Sequence, residues 1–383
     1  MKHYASLVVV SAMIGGLLVP SVSATEQDGK MTKEEKVVAL LNSIETGDPS
    51  AVAHINPTQY IQHNLGVADG LAGFGEVLQA LPKNSAKVNV IRSFEDGDFV
   101  VTHTDYNFFG PKVGFDIFRF ENDKIVEHWD NLADKAEKPN PSGRTQTDGT
   151  VEIADLDKTE ENKALVSDFV DSVLIGGSFD KLTTYIDQET YLQHNIQVAD
   201  GLDGLSSALE AIAKQGIYMV YEEQHAIFGQ GNFVLTVSAG TFGGDKVTYY
   251  DLFRVADAKI VEHWDVIEPT LPAEQWKNDN GKFGFKPKYV VEVATFKLKD
   301  GITESDFAIL DSAVESTHVS KQDGFLSRSA QMTQDNYWRV IVHWESKESA
   351  EASMQSFANA DAAQAFMLAA DTSSMVMRRY NQY

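Results

Sequence analysis

Residues 60–73 read YIQHNLGVADGLAG, and residues 191–204 read YLQHNIQVADGLDG, 131 residues further on. A second pair of blocks follows in the same order. DIFRFENDKIVEHWD at 116–130 is answered by DLFRVADAKIVEHWD at 251–265, now 135 residues later. Two long matching blocks whose offsets differ by four residues mark an internal duplication, and such a repeat decides the architecture before any secondary-structure reading. The copies span about 31–135 and 158–268. Residues 136–157 and 269–287 are rich in Pro, Gly, Ser, Thr and Asn and read as linkers.

Within each copy the pattern runs helix, Tyr-x-Gln-His-Asn segment, short helix, four strands. In the first copy Val37, Leu40, Leu41 and Ile44 repeat at helical spacing, and Thr32 with Glu35 reads as a capping box. Strands are expected at 87–95, 98–108, 113–121 and 124–131, with tight turns at Asp96-Gly97 and Asn122-Asp123. Helices first and antiparallel strands last predict an α+β fold, with helices on one face of a sheet. From Lys288 onward a β-α-β-β-α-β order predicts a ferredoxin-like domain over 288–383.

The chain has 383 residues, 56 acidic against 32 Lys and Arg side chains, and no cysteine. Disulfides, thiolate nucleophiles and Cys-ligated metals are therefore excluded. The net charge of −24 argues against nucleic acid and anionic membranes as partners. Residues 1–24 combine Lys2, an apolar run from Leu7 to Val19, the breaker Pro20 and the small-x-small end Val22-Ser23-Ala24. That pattern predicts a cleaved secretory signal and an exported protein, periplasmic or secreted. No Gly-x-Gly-x-x-Gly follows a strand, so no dinucleotide cofactor is expected.

A two-residue turn at Asn122-Asp123 sets Phe120 opposite Ile125, Phe118 opposite Glu127 and Asp116 opposite Trp129. Alternation then gathers Asp116, Phe118, Glu127 and Trp129 on one face, and Asp251, Phe253, Glu262 and Trp264 in the second copy. Carboxyl groups in such an apolar setting have raised pKa values and suit general acid–base work. His63 and His194 are the assisting candidates, beside Asn64, Asn195, Tyr60 and Tyr191 as substrate contacts. His128 and His263 fall on the opposite face in this register. His128 and Asp130 lie on one strand, where they lack the third ligand a catalytic zinc site needs, so no metal is expected.

Tyr-x-Gln-His-Asn, a downstream Asp-Gly, then Asp-Ile/Leu-Phe-Arg and Lys-Ile-Val-Glu-His-Trp-Asp resemble the SnoaL-like polyketide cyclase family of the nuclear transport factor 2-like superfamily. The resemblance covers both copies and implies two cone-shaped domains in tandem, with Asp116 and Asp251 at the family's catalytic Asp. It also implies proton-transfer chemistry on a small hydrophobic carbonyl compound without cofactor. The family's second catalytic group is a strand His; Phe108 and Phe242 stand in the matching stretches, and His103 is the nearest histidine in the first copy. Gly324-Phe325-Leu326 followed by a strand ending His343-Trp344-Glu345-Ser346 resembles the antibiotic biosynthesis monooxygenase family of dimeric α+β barrels. That resemblance implies a homodimer through the C-terminal domain, with His318, Trp338 and His343 as candidate cavity residues; the alternative functions are a non-catalytic exported binding protein for a small molecule, or a monooxygenase-like activity in the C-terminal domain.

Overall fold

The computed structural model describes residues 30–82, 85–285 and 287–383; the expected signal at 1–24 lies outside them. Thr32 caps α1 (Lys33–Thr46) through the reciprocal box with Glu35, as its sequence predicts. β1 (Ile61–Gln62), α2 (Gly70–Ala80), β2 (Lys87–Asp96), β3 (Phe99–Asn107), β4 (Pro111–Glu121) and β5 (Lys124–Asp134) follow. The five strands form one sheet in the order β1-β5-β4-β3-β2. The next stretch repeats this layout. α3 (Thr159–Phe169) runs into a π-helical turn at Val170–Ile175, then come α4 (Leu182–Tyr185), β6 (Leu192–Gln193) and α5 (Gly201–Ala213). β7 (Met219–Gln230), β8 (Phe233–Phe242), β9 (Asp245–Ala256) and β10 (Lys259–Pro269) complete a sheet in the order β6-β10-β9-β8-β7.

Each sheet buries both faces. In the first copy Val37, Leu40 and Leu41 of α1 pack with Val100, Phe118 and Phe120. The opposite face, with Phe99, Val101, Phe115, Ile117 and Trp129, meets Phe228, Phe233, Leu235, Leu252 and Trp264 of the second copy in one continuous core. Asn131 spans this seam, donating to the carbonyls of Thr248 (2.9 Å) and Val266 (2.7 Å).

A third sheet, in the order β12-β13-β11-β14, is built from β11 (Tyr289–Leu298), β12 (Phe325–Met332), β13 (Trp338–Trp344) and β14 (Ala370–Gln382). α6 (Glu304–Thr317), α7 (Lys347–Phe357) and α8 (Asp361–Ala369) accompany it. Val290, Phe296, Trp338 and Phe366 form its helix-side core. Val291, Val293 and Tyr380 on the other face pack against Ala164, Val166 and Phe169 of α3. α3 thus lies between two sheets, and Lys163 on it is fully buried, reaching Asp96 Oδ2 (2.5 Å) in the first copy and Gln382 Oε1 (2.6 Å) in β14.

The two stretches read as linkers are ordered straps, and each crosses to the copy it does not follow. From the first, Asn140 donates to the carbonyls of Gln193 (2.6 Å) and Val198 (2.9 Å), and Asp148 O accepts from Trp264 Nε1 (2.9 Å). From the second, Asn278 donates to the carbonyls of Asn64 (2.8 Å) and Val67 (2.9 Å), and Phe285 stacks on Trp129 with ring centroids 4.4 Å apart.

Candidate functional site

The turn before β5 is the two-residue one expected: Asn122 (φ 49°) and Asp123 (φ 65°) both take the left-handed conformation of a type I′ hairpin. Phe120 lies opposite Ile125 as predicted. The register then slips by one, because Val126 is an extra residue on β5. Arg119 pairs with Glu127, Phe118 with His128, Ile117 with Trp129 and Asp116 with Asp130. A β-bulge exchanges the faces of every residue beyond it. β10 carries the same bulge at Val261, so Asp251 pairs with Asp265 and Phe253 with His263.

This one-residue slip redistributes the candidates. Asp116 and Asp251 are joined on the helix side by His128, Asp130, His263 and Asp265, the groups assigned by sequence to the other face. Glu127, Glu262, Trp129 and Trp264 move to the seam between the copies. His63 and His194 go with them: His63 Nε2 meets Glu127 Oε1 (2.9 Å) and stacks on Trp129, and His194 Nε2 meets Glu262 Oε1 (3.0 Å) and stacks on Trp264. Arg119 and Arg254 hold the second oxygens of Glu127 and Glu262, each at 2.6 Å. His103 also lies on the seam face, 2.9 Å from Arg92 and stacked on Phe115. Neither His63, His194 nor His103 reaches Asp116 or Asp251.

The helix-side site is the same in both copies. In the second, His263 Nε2 lies 3.0 Å from Asp251 Oδ1 and its Nδ1 lies 3.2 Å from Gln193 Oε1. Asn195 donates to Asp265 Oδ2 (2.7 Å), and Tyr221 donates to Asp251 (3.1 Å). Phe253 stacks on His263. In the first, His128 lies 3.2 Å from Asp116 and 3.0 Å from Gln62, Asn64 donates to Asp130 (2.8 Å), Tyr106 donates to Asp116 (2.6 Å) and Phe118 stacks on His128. The Tyr-x-Gln-His-Asn motif thus sends Gln and Asn into the site and His away from it, as alternation along β1 and β6 requires. Tyr60 and Tyr191 are buried beside it.

The two tyrosines come from different strands. Tyr106 sits on β3 opposite Val88 of β2, while its counterpart on β8 is Gly240, opposite Tyr221 of β7. The phenol is delivered to the same carboxylate from the neighbouring strand, so aligning the two repeats cannot reveal it. The repeated His-x-Asp at 128–130 and 263–265 is the signal that could have pointed to the remaining members.

Burial raises the Asp265 carboxyl, and the nearby His263 offsets only part of that. Burial alone would lower His263, but its bond to Asp251 and the charges of Asp251 and Asp265 outweigh it, so the imidazolium is favoured. Burial, reinforced by Asp251, pushes the Tyr221 phenol well up, leaving it a hydrogen-bond donor. The floor of the second copy therefore brings together Asp251, a His263 ring whose protonated form is favoured, an Asp265 carboxyl raised by burial and the Tyr221 phenol. Above it lies a cavity of about 420 Å³, walled by Phe169, Leu174, Leu205, Met219, Phe242 and Ile267 among others.

Asp116 supplies the third ligand that His128 and Asp130 lack on their own strand, and in each copy the three ligand atoms lie within 4.8 Å of one another. A cation there would have to displace the proton His263 shares with Asp251, or His128 with Asp116. In the C-terminal domain Trp338 donates to Asp311 within the helix-side core, His343 meets Ser327, and His318 meets the Ser353 carbonyl; Trp338 and His343 reach opposite faces of the sheet.

Neither a family model nor a curated protein matches the chain. Solved structures similar to parts of it include SnoaB, a cofactor-independent oxygenase from Streptomyces nogalater, at 13% identity over 25% of this chain and 94% of that one, with a TM-score of 0.22. An NTF2-like protein of unknown function from Cytophaga hutchinsonii matches at 16% identity over 28% and 94%, TM-score 0.25. A putative ketosteroid isomerase from Kribbella flavida matches at 13% identity over 30% and 83%, TM-score 0.26. At these scores the likenesses say nothing about chemistry.

Proposed function

We propose that the second copy binds a small apolar carbonyl compound and moves a proton within it, as isomerase- or cyclase-type chemistry requires. The observation behind this reading is a buried Asp251–His263 pair joined by the half-buried Asp265, with Tyr221 on it, at the floor of an apolar cavity. Asp251, as carboxylate, takes the proton from a carbon next to the carbonyl. In its protonated form Asp265, whose carboxyl burial raises, donates a hydrogen bond to the oxygen that gains the negative charge, and Asp251 returns the proton at a second carbon. His263 fixes Asp251 Oδ1, and the Tyr221 hydroxyl, 3.1 Å from Oδ1 and 3.2 Å from Oδ2, orients the carboxylate. We read the chain as two tandem SnoaL-like, nuclear transport factor 2-like domains and a ferredoxin-like barrel domain, exported through the signal at 1–24. The repeated strand orders support the tandem, and the order of the third sheet supports the barrel.

The test is proton exchange in D₂O, followed by NMR, on small apolar ketones that first shift the melting temperature of the purified protein. Asp251→Asn is expected to slow exchange by about 100-fold or more. An unchanged rate would remove Asp251 as the base. Ketones that bind the wild type without exchange would make the protein a binding module.

A further inference from the structure

We infer that Asn140, on the strap leaving the first copy, is a positioning residue for the site of the second copy, an inference that rests on the proton-transfer reading above. The loop from Tyr191 to Asp200 supplies both supports of that site, Gln193 to His263 and Asn195 to Asp265. Beyond β6 the loop's backbone meets the sheet through His194 N, which donates to His263 O (2.9 Å), so the carbonyls of Gln193 and of the residues after His194 need another hold. Asn140 provides it. Its Nδ2 donates to the carbonyls of Gln193 and Val198, and its Oδ1 accepts from the backbone of Ser142 and Arg144, which fixes the strap's own turn. Arg144 Nε then reaches both oxygens of Asp200 at 2.9 Å, and Asp200 Oδ1 accepts from Gln193 N.

The device is built twice, in opposite directions. Asn278 holds Asn64 O and Val67 O, and Asn280 donates to Gln62 O (3.0 Å) and Asp69 Oδ1 (2.8 Å), where Asp69 accepts from Gln62 N. The second strap therefore grips the loop carrying Gln62 and Asn64, which support His128 and Asp130. Each site depends on chain contributed from beyond its own copy. Outer supports of this kind set the orientation of the groups that act.

The experiment compares Asn140→Ala with Asn278→Ala by NMR titration of His263, assigned through His263→Gln. The titratable groups facing His263 are Asp251, Asp265, Tyr191 and Tyr221, and Asn140 touches none of them. Asn140→Ala is expected to move the His263 midpoint down toward that of an ordinary histidine and to lower kcat by up to about 100-fold with little change in KM. Asn278→Ala should leave the His263 midpoint in place. An unmoved midpoint in folded Asn140→Ala, or the same shift in both variants, overturns the inference. If Asn140→Ala does not fold, Arg144→Gln, which releases only the Asp200 clamp, decides on the same readout. A wild type without turnover would sink the proton-transfer reading and still leave the titration to judge Asn140.

Discussion

Removing Asp96 tests how the three sheets are tied together. Its carboxylate on β2 faces the fully buried Lys163 ammonium of α3, accepts from Gly229 N (2.9 Å) and meets Gln382 of β14. In Asp96→Ala the ammonium keeps, among the described residues, the Gln382 Oε1 contact, the Tyr380 ring 5.2 Å away and the field of the nearby Glu160 carboxyl. Breaking one side of a buried ion pair costs about 3–5 kcal/mol, because the remaining charge is stranded away from water. About 350 residues unfolding together carry an unfolding entropy near 0.7 kcal/mol/K, so a loss of about 4 kcal/mol lowers Tm by roughly 5 °C. Replacing both partners, as Asp96→Leu with Lys163→Met, should recover most of that loss, since an apolar pair of similar volume has no desolvation cost. Calorimetry on the wild type and both variants measures this. A single variant within about 1 °C of wild type, or a double variant worse than the single, would refute the picture of a buried junction shared by all three sheets.

Other outcomes follow from the same geometry. Glu262 is buried, which would raise its carboxyl, yet the bonds from His194, Arg254 and Thr150 hold it at about 2, against 4.5 unfolded. Its contribution, about 3 kcal/mol, is therefore present above pH 4.5 and lost as pH falls toward 2; Glu262→Gln should flatten that limb of the urea-stability profile. His263 has the opposite sign. With its pKa raised above 6.5, its imidazolium stabilises the fold below pH 6.5 and that part is lost as pH rises through the raised value, so the stability gap between wild type and His263→Gln should narrow there. Gly284→Ala should destabilise by more than 1 kcal/mol, read as a lower urea midpoint, because φ is +50° and a Cβ would run into the His63 ring.

How much of this was legible beforehand differs by level. The duplication was, since it is written in long identical runs, and so were the capping box and the turn at Asn122-Asp123. The register was not. Val126 and Val261 are ordinary strand residues, and nothing in Lys-Ile-Val-Glu-His-Trp-Asp marks which residue will be skipped by the partner strand. That single uncertainty placed Glu127 and Trp129 where His128 and Asp130 belong. The straps failed differently: Pro, Gly and Asn content describes local conformation, and Asn140 or Asn278 can be placed only once the fold shows which loop lies within reach. The α8 segment was missed because the pause at Asn359–Ala360, between two helices, leaves little compositional trace.

The crossing of the straps also orders the protein's maturation in time. When the first copy has been synthesised, the chain that grips its Tyr-x-Gln-His-Asn loop, residues 278–285, is still about 150 residues from being made. Until that segment is present and docked, the first copy's loop lacks the hydrogen bonds from Asn278 and Asn280. The second copy finds its strap already waiting, so the two halves of a near-symmetric repeat reach their final state by different routes.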